Sequence, residues 1–471
     1  MPMENYPGKP RNISEFGKLL YKSQDEIRSI QNRKLREQVG LLEKYSPYYK
    51  KLFKKLGISA ADIKTVDDLE EFPLLYKRDY MKNPMDFRLD IPPDAPVQPH
   101  ERILWGVHYT TGTTSGVPTP FFSTTHDYYG NLMQLTRMDE VAGINSHDIV
   151  ANLFPLTPVP HIGFWKTIDY SIACGARCVS AVTGARYEPF PIHRSLDYAV
   201  EMVEKNRCTV LSGIVSFVRR VIMRAEELGK DFSCVRLCFV LGEACPKGMR
   251  DDMRRRLRNI GASRPFICSG LGFTEMQGTT LECTEEGGMH LCAPDLYFLE
   301  IVDEQTGKRL PDGEKGLLTI THLDRRGTSF LRYVVGDITT LTHETCPNCG
   351  RNDARVVMQP VRTMELVNIK GTLINPDILK TEISSIKGIE EYQIVFTKED
   401  LKDPLSMDKL QIRVAIERGL DKRNIERRLI EKARKAVEMT PEIVFVGKSE
   451  IFDPTKTLKS TRVVDNRPAL D

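Results

Sequence analysis

The sequence predicts an α/β protein, with a large N-terminal α/β domain that includes an antiparallel subregion and a small mobile C-terminal α+β domain. Its 471 residues exceed what one hydrophobic core usually holds, so two or three domains are expected. Between residues 96 and 340, short apolar runs alternate with helical patterns, which is typical of β-α-β units. After about residue 364 the order becomes helix, strand, strand, helix, strand, which predicts a separate compact domain.

The N-terminal region, residues 1–95, is predicted to be helical and to pack on the large domain. Leu35, Val39 and Leu42 follow helical spacing, and Ser46-Pro47 should end that helix. A proline-rich linker then leads into the large domain, residues 96–363.

Predicted elements of the large domain alternate in type. The predicted strands span residues 150–153, 209–211, 235–241, 266–268, 317–321 and 330–335, and the predicted helices follow Ser195 and span 215–228 and 249–260. The last two strands should form the antiparallel subregion. In the C-terminal domain, residues 364–471, helices are predicted at 377–384 and 421–438 and strands at 392–397, 411–417 and 443–446.

Composition limits the classes of function. A hydrophobic fraction of 41% and a charged fraction of 28% are those of a globular protein. The net charge of +3 argues against nucleic acid as the main partner. No apolar run reaches membrane-spanning length, and the N-terminus lacks the apolar region of a signal peptide. Eleven cysteines, an odd number, then indicate a reducing cytoplasm, where clustered cysteines hold metal rather than form disulfides.

A segment rich in glycine and threonine, residues 109–119, carries no charge and follows an apolar, extended run. We call it the Gly/Thr loop. Glycine lets the backbone expose its N–H groups, and threonine and serine add hydroxyl donors, so the loop can wrap a nucleotide triphosphate. It lacks the Walker spacing, so an ordinary surface turn is the alternative.

Further polar residues stand at or near the ends of predicted strands, where α/β folds bind ligands. Glu275 could hold Mg²⁺ directly or through water. Asp337 is suited to accept hydrogen bonds from ribose hydroxyls. Lys459, near the C-terminus, is a further candidate. Each of the three residues also has a structural alternative: Glu275 as a first-turn helix acid, Asp337 as a turn residue and Lys459 as a surface lysine.

Taken together in this order, these motifs resemble those of the AMP-forming ligases of the adenylate-forming, or acyl-CoA synthetase, superfamily. Within it, the chain is most similar to the phenylacetate–CoA ligase family. The resemblance covers nearly the whole chain and rests on five motifs. It implies that the Gly/Thr loop cradles the ATP phosphates, through Thr110, Thr111, Gly112, Thr113, Thr114, Ser115 and Gly116.

The resemblance also implies the remaining nucleotide contacts and the catalytic set. The implied ATP-binding residues are Gly242 and Glu243 at adenine, Gly272, Phe273, and Asp337 and Arg362 at the ribose. Thr274 would contact phosphate and Glu275 would serve Mg²⁺. Lys459 matches the lysine that contacts the carboxylate and the α-phosphate during adenylation, and the residues after Arg362 would form the hinge.

The chain departs from the family pattern at five positions. Ser115 is an extra residue in the Gly/Thr loop, and Val117 replaces the usual lysine there. Leu271 stands where a tyrosine normally lies beside adenine. Met364 occupies a common hinge aspartate position, and Leu458 replaces the glycine before the lysine. These changes bear on ATP affinity and hinge geometry.

A second group of residues has the spacing of a zinc site. Cys283 and His290 are separated by six residues, and Cys346 and Cys349 form a Cys-x2-Cys knuckle. Four such ligands predict a closed, structural site. Cys292 is a competing ligand, and free buried thiols are the alternative interpretation.

The acid pocket is predicted in the apolar, proline-rich segment from residue 154 to 165, with Phe154 and His161 as its candidates. The resemblance implies that this segment helps to wall the acyl site. A packed loop with a surface histidine is the alternative. The sequence does not decide between an aryl and an acyl acid.

The resulting prediction is an ATP-dependent, AMP-forming ligase that joins a carboxylate, aryl or arylacetic, to coenzyme A through an acyl-adenylate. Its expected cofactors are ATP, Mg²⁺, coenzyme A and a structural Zn²⁺. A small carboxylic acid and coenzyme A are the expected partners, a homodimer is allowed, and neither nucleic acid nor membrane is expected. The alternatives are an adenylyltransferase of the coenzyme F390 synthetase type and a zinc-stabilised nucleotide-binding protein without ligase activity.

Overall fold

The computed structural model describes residues 14–110, 118–156, 162–183, 194–362, 367–369, 372–374, 376–401, 407–437, 440–454 and 460–467. Helices and strands alternate through these residues, so the predicted α/β class is confirmed. The chain divides into two compact units. The first unit contains Met1–Asn152, Leu156–Val179 and Cys268–Pro360, and the second contains Leu153–Pro155, Ser180–Ile267 and Val361–Asp471.

The elements up to residue 267 are mainly helical. They are α1 (Gln24–Tyr45), α2 (Pro47–Leu56), α3 (Lys77–Tyr80), α4 (Pro99–Arg102), β1 (Leu104–Tyr109), β2 (Pro120–Thr124), α5 (Thr125–Ala142), β3 (Ile149–Asn152), α6 (Ile162–Cys174), β4 (Arg177–Ser180), α7 (Leu196–Lys205), β5 (Val210–Ile214), α8 (Val215–Glu227), β6 (Leu237–Leu241) and α9 (Lys247–Asn259).

Strands dominate the remainder. They are β7 (Phe266–Phe273), β8 (Gly278–Glu282), β9 (Met289–His290), β10 (Tyr297–Val302), β11 (Gly316–His322), β12 (Tyr333–Thr339), β13 (Leu341–Thr342), β14 (Arg355–Val356), β15 (Val361–Arg362), β16 (Val367–Ile369), β17 (Thr372–Ile374), β18 (Ile389–Lys398), β19 (Asp408–Ile416), β20 (Glu442–Phe445) and β21 (Val463–Asp465), with helices α10 (Pro376–Ser384), α11 (Lys422–Val437) and α12 (Lys448–Ile451) among them.

The first unit has a large hydrophobic core to which both ends of its sequence contribute. Leu35, Val39 and Leu42, the predicted apolar face of α1, pack in the same cluster as Phe330 and Tyr333. The strands β10, β11 and β12 form an antiparallel sheet, as the sequence predicts for residues 317–335. Helix α1 ends at Tyr45 as predicted, and α2 begins directly at Pro47, because proline is tolerated in the first turn of a helix.

The second unit contains a β-α-β unit and, in its C-terminal part, a small sheet that packs with helices. Strands β5 and β6 pair in parallel, and α8 connects them. Helices α8 and α9 end just before Gly229 and Gly261, whose φ angles of 61° and 101° favour glycine. In the C-terminal part, the strand order is β20-β19-β18-β21, and α10 and α11 contribute to its core. The predicted domain limits at residues 95 and 363 remain predictions.

The bounds of several predicted strands differ in the structure, and two of these strands carry candidate site residues. The strand predicted at 266–268 continues to Phe273, so Gly272 and Phe273 lie inside β7 rather than after it. The strand predicted at 330–335 begins at Tyr333 and includes Asp337. Both extensions come from pairing with a neighbouring strand, which overrides the local preference of glycine for turns. None of the helices in the described ranges combines the length and apolar character that a membrane span requires.

Candidate active site and metal centre

The two ends of the Gly/Thr loop are held together in the first unit. Strands β1 and β2 form an antiparallel hairpin in which Tyr109 lies opposite Pro120. The Thr110 N–H donates to the Thr119 carbonyl at 3.0 Å, and the Thr119 N–H donates to Thr110 Oγ1 at 3.0 Å. The hairpin therefore fixes where the predicted phosphate-binding residues begin and end. Six of those residues lie outside the described part, and their roles remain predictions: Thr111, Gly112, Thr113, Thr114, Ser115 and Gly116.

Glu275 lies just beyond the end of β7 and is buried. Its Oε1 accepts a hydrogen bond of 3.0 Å from the Tyr333 hydroxyl, and the Tyr333 ring stacks on Phe330 with 4.4 Å between centroids. The packed aromatic pair thus fixes the direction in which the carboxylate points. Gln277, two residues on, has a φ of 51°, an uncommon value for a non-glycine residue and one that recurs at functional sites. An Mg²⁺-binding role for Glu275 and a phosphate contact by Thr274 remain predictions.

Glycine at position 272 has a local structural reason. Gly272 pairs with Thr279 in the β7–β8 hairpin, and a Cβ at Gly272 would lie 3.3 Å from the Gly278 carbonyl oxygen and from Thr279 Cβ. Any side chain there would press on the neighbouring strand. The buried Phe273 follows it in β7. Their assignment to ATP binding remains a prediction.

Asp337 lies on an irregular stretch of β12. The register between β11 and β12 shifts so that Leu317 lies opposite Ile338 while Thr319 lies opposite Val334. Gly336, with a φ of 91°, lies in this bulge. Bulges change the direction of the side chains they carry, and here the bulge buries Asp337. A ribose contact by Asp337 remains a prediction.

In the second unit, Glu243 follows Gly242, whose φ of 80° turns the chain after β6. The Glu243 carboxylate accepts from the Ser216 N–H at 2.8 Å, the Ser216 hydroxyl at 3.0 Å and the Ser460 N–H at 3.1 Å. These donors occupy the side chain, so an adenine contact by this pair would come from its backbone. Sequence reasoning missed Ser216 and Ser460, since no local pattern joins positions so far apart.

Three more predicted residues are incompletely described. Lys459 and His161 lie outside the described residues, and the side chain of Arg362, in β15, does as well. Phe154 is described, and its side chain is buried with 1% of its surface exposed. The roles of all four remain predictions.

A buried polar cluster in the first unit was not predicted. Lys166 on α6 hydrogen-bonds Asn131, and its Nζ lies 3.2 Å from Asp169 Oδ2. Burial lowers the pKa of Lys166, an effect that Asp169 opposes. Burial, together with the charge of Lys166, also lowers the pKa of His108 to about 3, so this histidine is neutral at pH 7. The feature of the sequence that could have revealed this cluster is Lys166, a single lysine in the otherwise apolar start of α6.

The predicted metal ligands come together in the first unit. The ligand atoms of Cys283, His290, Cys346 and Cys349 all lie within 4.8 Å of one another, and all four residues are buried. The two sulfurs of Cys283 and Cys346 are 3.7 Å apart, and Cys349 Sγ is 3.4 Å from His290 Nε2. Tetrahedral bonds to zinc imply separations of about 3.8 Å between two sulfurs and about 3.6 Å between sulfur and nitrogen. The donor set fits that ion.

The surroundings of the four side chains determine their orientation. Asp353 Oδ1 lies 2.8 Å from His290 Nδ1, which turns Nε2 towards Cys349. The other oxygen of Asp353 accepts from the Cys292 N–H at 2.9 Å. Cys292 is outside the cluster, and its thiol points to the His290 carbonyl oxygen. Asp353 was missed from the sequence, although it lies only four residues after Cys349.

A family described as "AMP-binding enzyme" matches residues 40–323, which is more than half of the 471 residues. The chain belongs to the AMP-binding enzyme family. The matched segment contains the Gly/Thr loop, Glu243 and Glu275. The predicted resemblance to AMP-forming ligases is thereby confirmed.

Curated relatives agree with this assignment. The chain is 25% identical over 458 residues to the phenylacetate–coenzyme A ligase of Aromatoleum evansii, which covers 95% of this chain and 96% of that protein. It is 26% identical over 385 residues to the enzyme of the same name from Thermus thermophilus, over 80% of each chain. The family match and these relatives confirm the prediction of an enzyme, an AMP-forming acid–CoA ligase.

Among solved structures, the fold is similar to that of a 2-hydroxyisobutyryl-CoA ligase in the postadenylation state with 2-HIB-AMP. The TM-score is 0.80 at 20% identity, and the match covers 98% of this chain and 94% of that chain. This likeness supports the two-part adenylate-forming fold.

The contact between Tyr333 and Glu275 generates a stability prediction. If Glu275 is ionised, Tyr333→Phe removes a hydrogen bond to a buried charge and should lower the free energy of unfolding by about 1.5–3 kcal/mol. The matched control is Tyr49→Phe. Tyr49 is also buried, but its hydroxyl accepts from the uncharged Leu331 N–H at 2.8 Å, and its loss should cost about 0.5–1.5 kcal/mol. Chemical denaturation of both variants checks this, and equal losses would mean that Glu275 is uncharged.

Proposed function

We propose that this protein activates a carboxylic acid in two steps. In the first, a carboxylate oxygen attacks the α-phosphorus of ATP, the bond to the β-phosphate breaks, and an acyl-adenylate and pyrophosphate form. In the second, the thiolate of coenzyme A attacks the acyl carbon, AMP leaves with the bridging oxygen, and a thioester results. The observation that carries the proposal is the match of residues 40–323 to the AMP-binding enzyme family. These residues include the Gly/Thr loop, whose two ends are hydrogen-bonded to each other, and the carboxylate of Glu275, which Tyr333 orients.

The proposed roles divide between binding and charge stabilisation. The Gly/Thr loop would hold the phosphates through N–H and hydroxyl donors, and Asp337 would hold the ribose with Arg362. Glu275 would hold Mg²⁺, which neutralises phosphate charge when bound. Lys459 would offset the negative charge that gathers as carboxylate meets α-phosphate. Little covalent chemistry falls to the protein, so positioning and electrostatic stabilisation carry the first step.

The acid we propose is aryl or arylacetic. The apolar segment around Phe154 supports this choice, as do the names of the relatives from Aromatoleum and Thermus. The structural neighbour named for 2-hydroxyisobutyryl-CoA makes a small aliphatic hydroxy acid the competing substrate. A cytoplasmic location and a homodimer stay predictions. All eleven cysteines lie in the described residues and none is paired in a disulfide, which suits a reducing compartment.

The acid preference is tested by ATP–pyrophosphate exchange with Mg²⁺ across a panel of acids. Phenylacetate or a ring-substituted arylacetate should support the fastest exchange, with benzoates and 2-hydroxyisobutyrate slower. Fastest exchange with 2-hydroxyisobutyrate would overturn the aryl assignment. Exchange with no acid would favour the alternative of a nucleotide-binding protein. An AMP adduct that persists after coenzyme A is added would favour the adenylyltransferase.

Lys459 is predicted to serve only the first half-reaction. Removing a donor that stabilises developing charge typically costs on the order of 100- to 1000-fold in rate, so Lys459→Ala should nearly abolish pyrophosphate exchange. Given preformed acyl-adenylate and coenzyme A, the same variant should make thioester at close to the normal rate. A parallel fall in both half-reactions would contradict this division of roles.

We also propose that Cys283, His290, Cys346 and Cys349 hold a structural Zn²⁺. The support is the convergence of four buried ligand atoms and the contact of Asp353 with the outer nitrogen of His290. Four ligands leave no position for water, so the ion would stabilise the fold around β9 and β14.

Metal content tests the zinc proposal independently of activity. Purified protein should contain about one zinc per chain. Combined Cys346→Ser and Cys349→Ser should remove it and lower the melting temperature, while Asp353→Asn should weaken zinc affinity by roughly 10- to 100-fold. Cys292→Ser is the matched control, because Cys292 is a buried cysteine outside the cluster, and it should keep the metal. Zinc retained in the double variant would refute the ligand set.

A further inference from the structure

Glu243 and Ser460 link two segments of the second unit that are far apart in sequence. Glu243 follows β6, and Ser460 precedes β21 in the C-terminal domain. The Ser460 N–H donates to Glu243 Oε1 at 3.1 Å and lies 3.3 Å from Ser216 Oγ. Ser216 and Ser460 are both buried, so water competes little for these bonds. We call Ser216, Glu243 and Ser460 the Glu243 latch.

The acceptor half of the latch is preorganised by α8. Ser216 is the second residue of α8, and Ile214, which precedes the helix, offers no side-chain cap. Glu243 supplies that cap instead, because it accepts from both the N–H and the hydroxyl of Ser216. The positive end of the helix dipole also favours a carboxylate there. Glu243 would therefore keep its orientation if Ser460 moved away.

The donor of the latch, the Ser460 N–H, is held in the C-terminal domain by the contacts of the residues that follow it. Gln393 on β18 donates to the Thr461 carbonyl at 2.8 Å, and the Ile394 N–H donates to the Arg462 carbonyl at 2.8 Å. Arg462 is ion-paired with Glu391 and lies over the Tyr392 ring at 4.3 Å. These contacts tie residues 460–462 to β18. The hydrogen bond from the Ser460 N–H to Glu243 therefore depends on the position of the C-terminal domain.

Two other contacts between the same segments are made by long side chains. Arg256 Nη2 lies 2.6 Å from Glu417 Oε1, and Arg219 donates to the Ile389 carbonyl at 3.1 Å. Long, flexible side chains of this kind tolerate small shifts between the segments they join. The latch instead joins a backbone amide to a fixed carboxylate, so it has a narrow geometric tolerance. It also acts on the residue that directly follows Lys459 in the sequence.

We propose that the Glu243 latch selects the orientation of the C-terminal domain in which adenylation occurs, which makes Glu243 and Ser216 positioning residues for that half-reaction. This inference rests on the proposed role of Lys459 in the first step. Release of Ser460 breaks the contacts of its N–H with Glu243 Oε1 and Ser216 Oγ, while the bonds from Ser216 to Glu243 that cap α8 are kept. The acceptor side of the latch therefore stays formed when the latch opens for the thiol step.

The test compares variants of the latch in the two half-reactions. Ser460→Pro removes the N–H donor, and Glu243→Gln removes the charge and one acceptor. Each should slow pyrophosphate exchange by roughly 10- to 100-fold, the loss expected for one hydrogen bond to a charged group. Thioester formation from preformed acyl-adenylate should stay near the wild-type rate in Ser460→Pro, because no substrate contact is proposed for Ser460. Ser460→Ala is the matched control for Ser460→Pro, because it retains the backbone N–H.

Hydrogen exchange separates the latch from the proposed function. Without any ligand, the Ser460 amide should be protected in the wild type and Ser460→Ala proteins and exchange faster in Glu243→Gln. Equal protection in wild type and Glu243→Gln, or an equal fall in both half-reactions in Ser460→Pro, would overturn the latch. If the wild type supports no pyrophosphate exchange with any acid, the proposed function fails, while the amide measurement still decides whether the latch exists.

Discussion

One carboxylate, that of Glu243, is the acceptor on which the second unit depends. Helix α8 begins directly after β5 without a cap of its own, and its first N–H groups need an acceptor. Gly242, at positive φ, turns the chain after β6 and brings that acceptor to them. The parallel strands, the helix between them and the segment at Ser460 are consequently linked through one side chain. A loss of this carboxylate would remove the cap of α8 and the acceptor of the Ser460 N–H.

Local periodicity and breaker residues predicted part of the elements of this fold. Helices α8 and α9 lie where apolar spacing and the following glycines indicate them, and the five elements predicted in the C-terminal part occur in the predicted order. The strands β16, β17 and β21 and the helices α5, α6 and α12 were not predicted. The convergence of Cys283, His290, Cys346 and Cys349 was predictable in part because Cys-x2-Cys is a local pattern. The limits of β7 were not, because its extension through Gly272 depends on pairing with β8. Contacts such as Asp353 with His290 and Glu243 with Ser460 depend on the tertiary fold, which local patterns do not encode.

The two units of the molecule differ in the contacts that organise them. In the first, a hairpin closes the Gly/Thr loop and an aromatic pair orients Glu275, which suits a site that must hold a polyanion still. In the second, the Ser460 N–H donates to the Glu243 carboxylate and Arg256 pairs with Glu417, so charged side chains join residues 180–267 to the C-terminal segment. The four converging cysteine and histidine side chains also lie in the first unit, which a bound zinc ion would stabilise.

The central claim, acyl transfer through an acyl-adenylate to coenzyme A, is tested most directly by following the oxygen of the acid. The protein is incubated with ATP, Mg²⁺, coenzyme A and phenylacetate, or the best acid of the panel, labelled with ¹⁸O in its carboxylate. Attack of that oxygen on the α-phosphorus predicts an acyl thioester together with AMP that carries one ¹⁸O atom. Label in inorganic phosphate, or an AMP adduct formed without any thioester, would contradict the account.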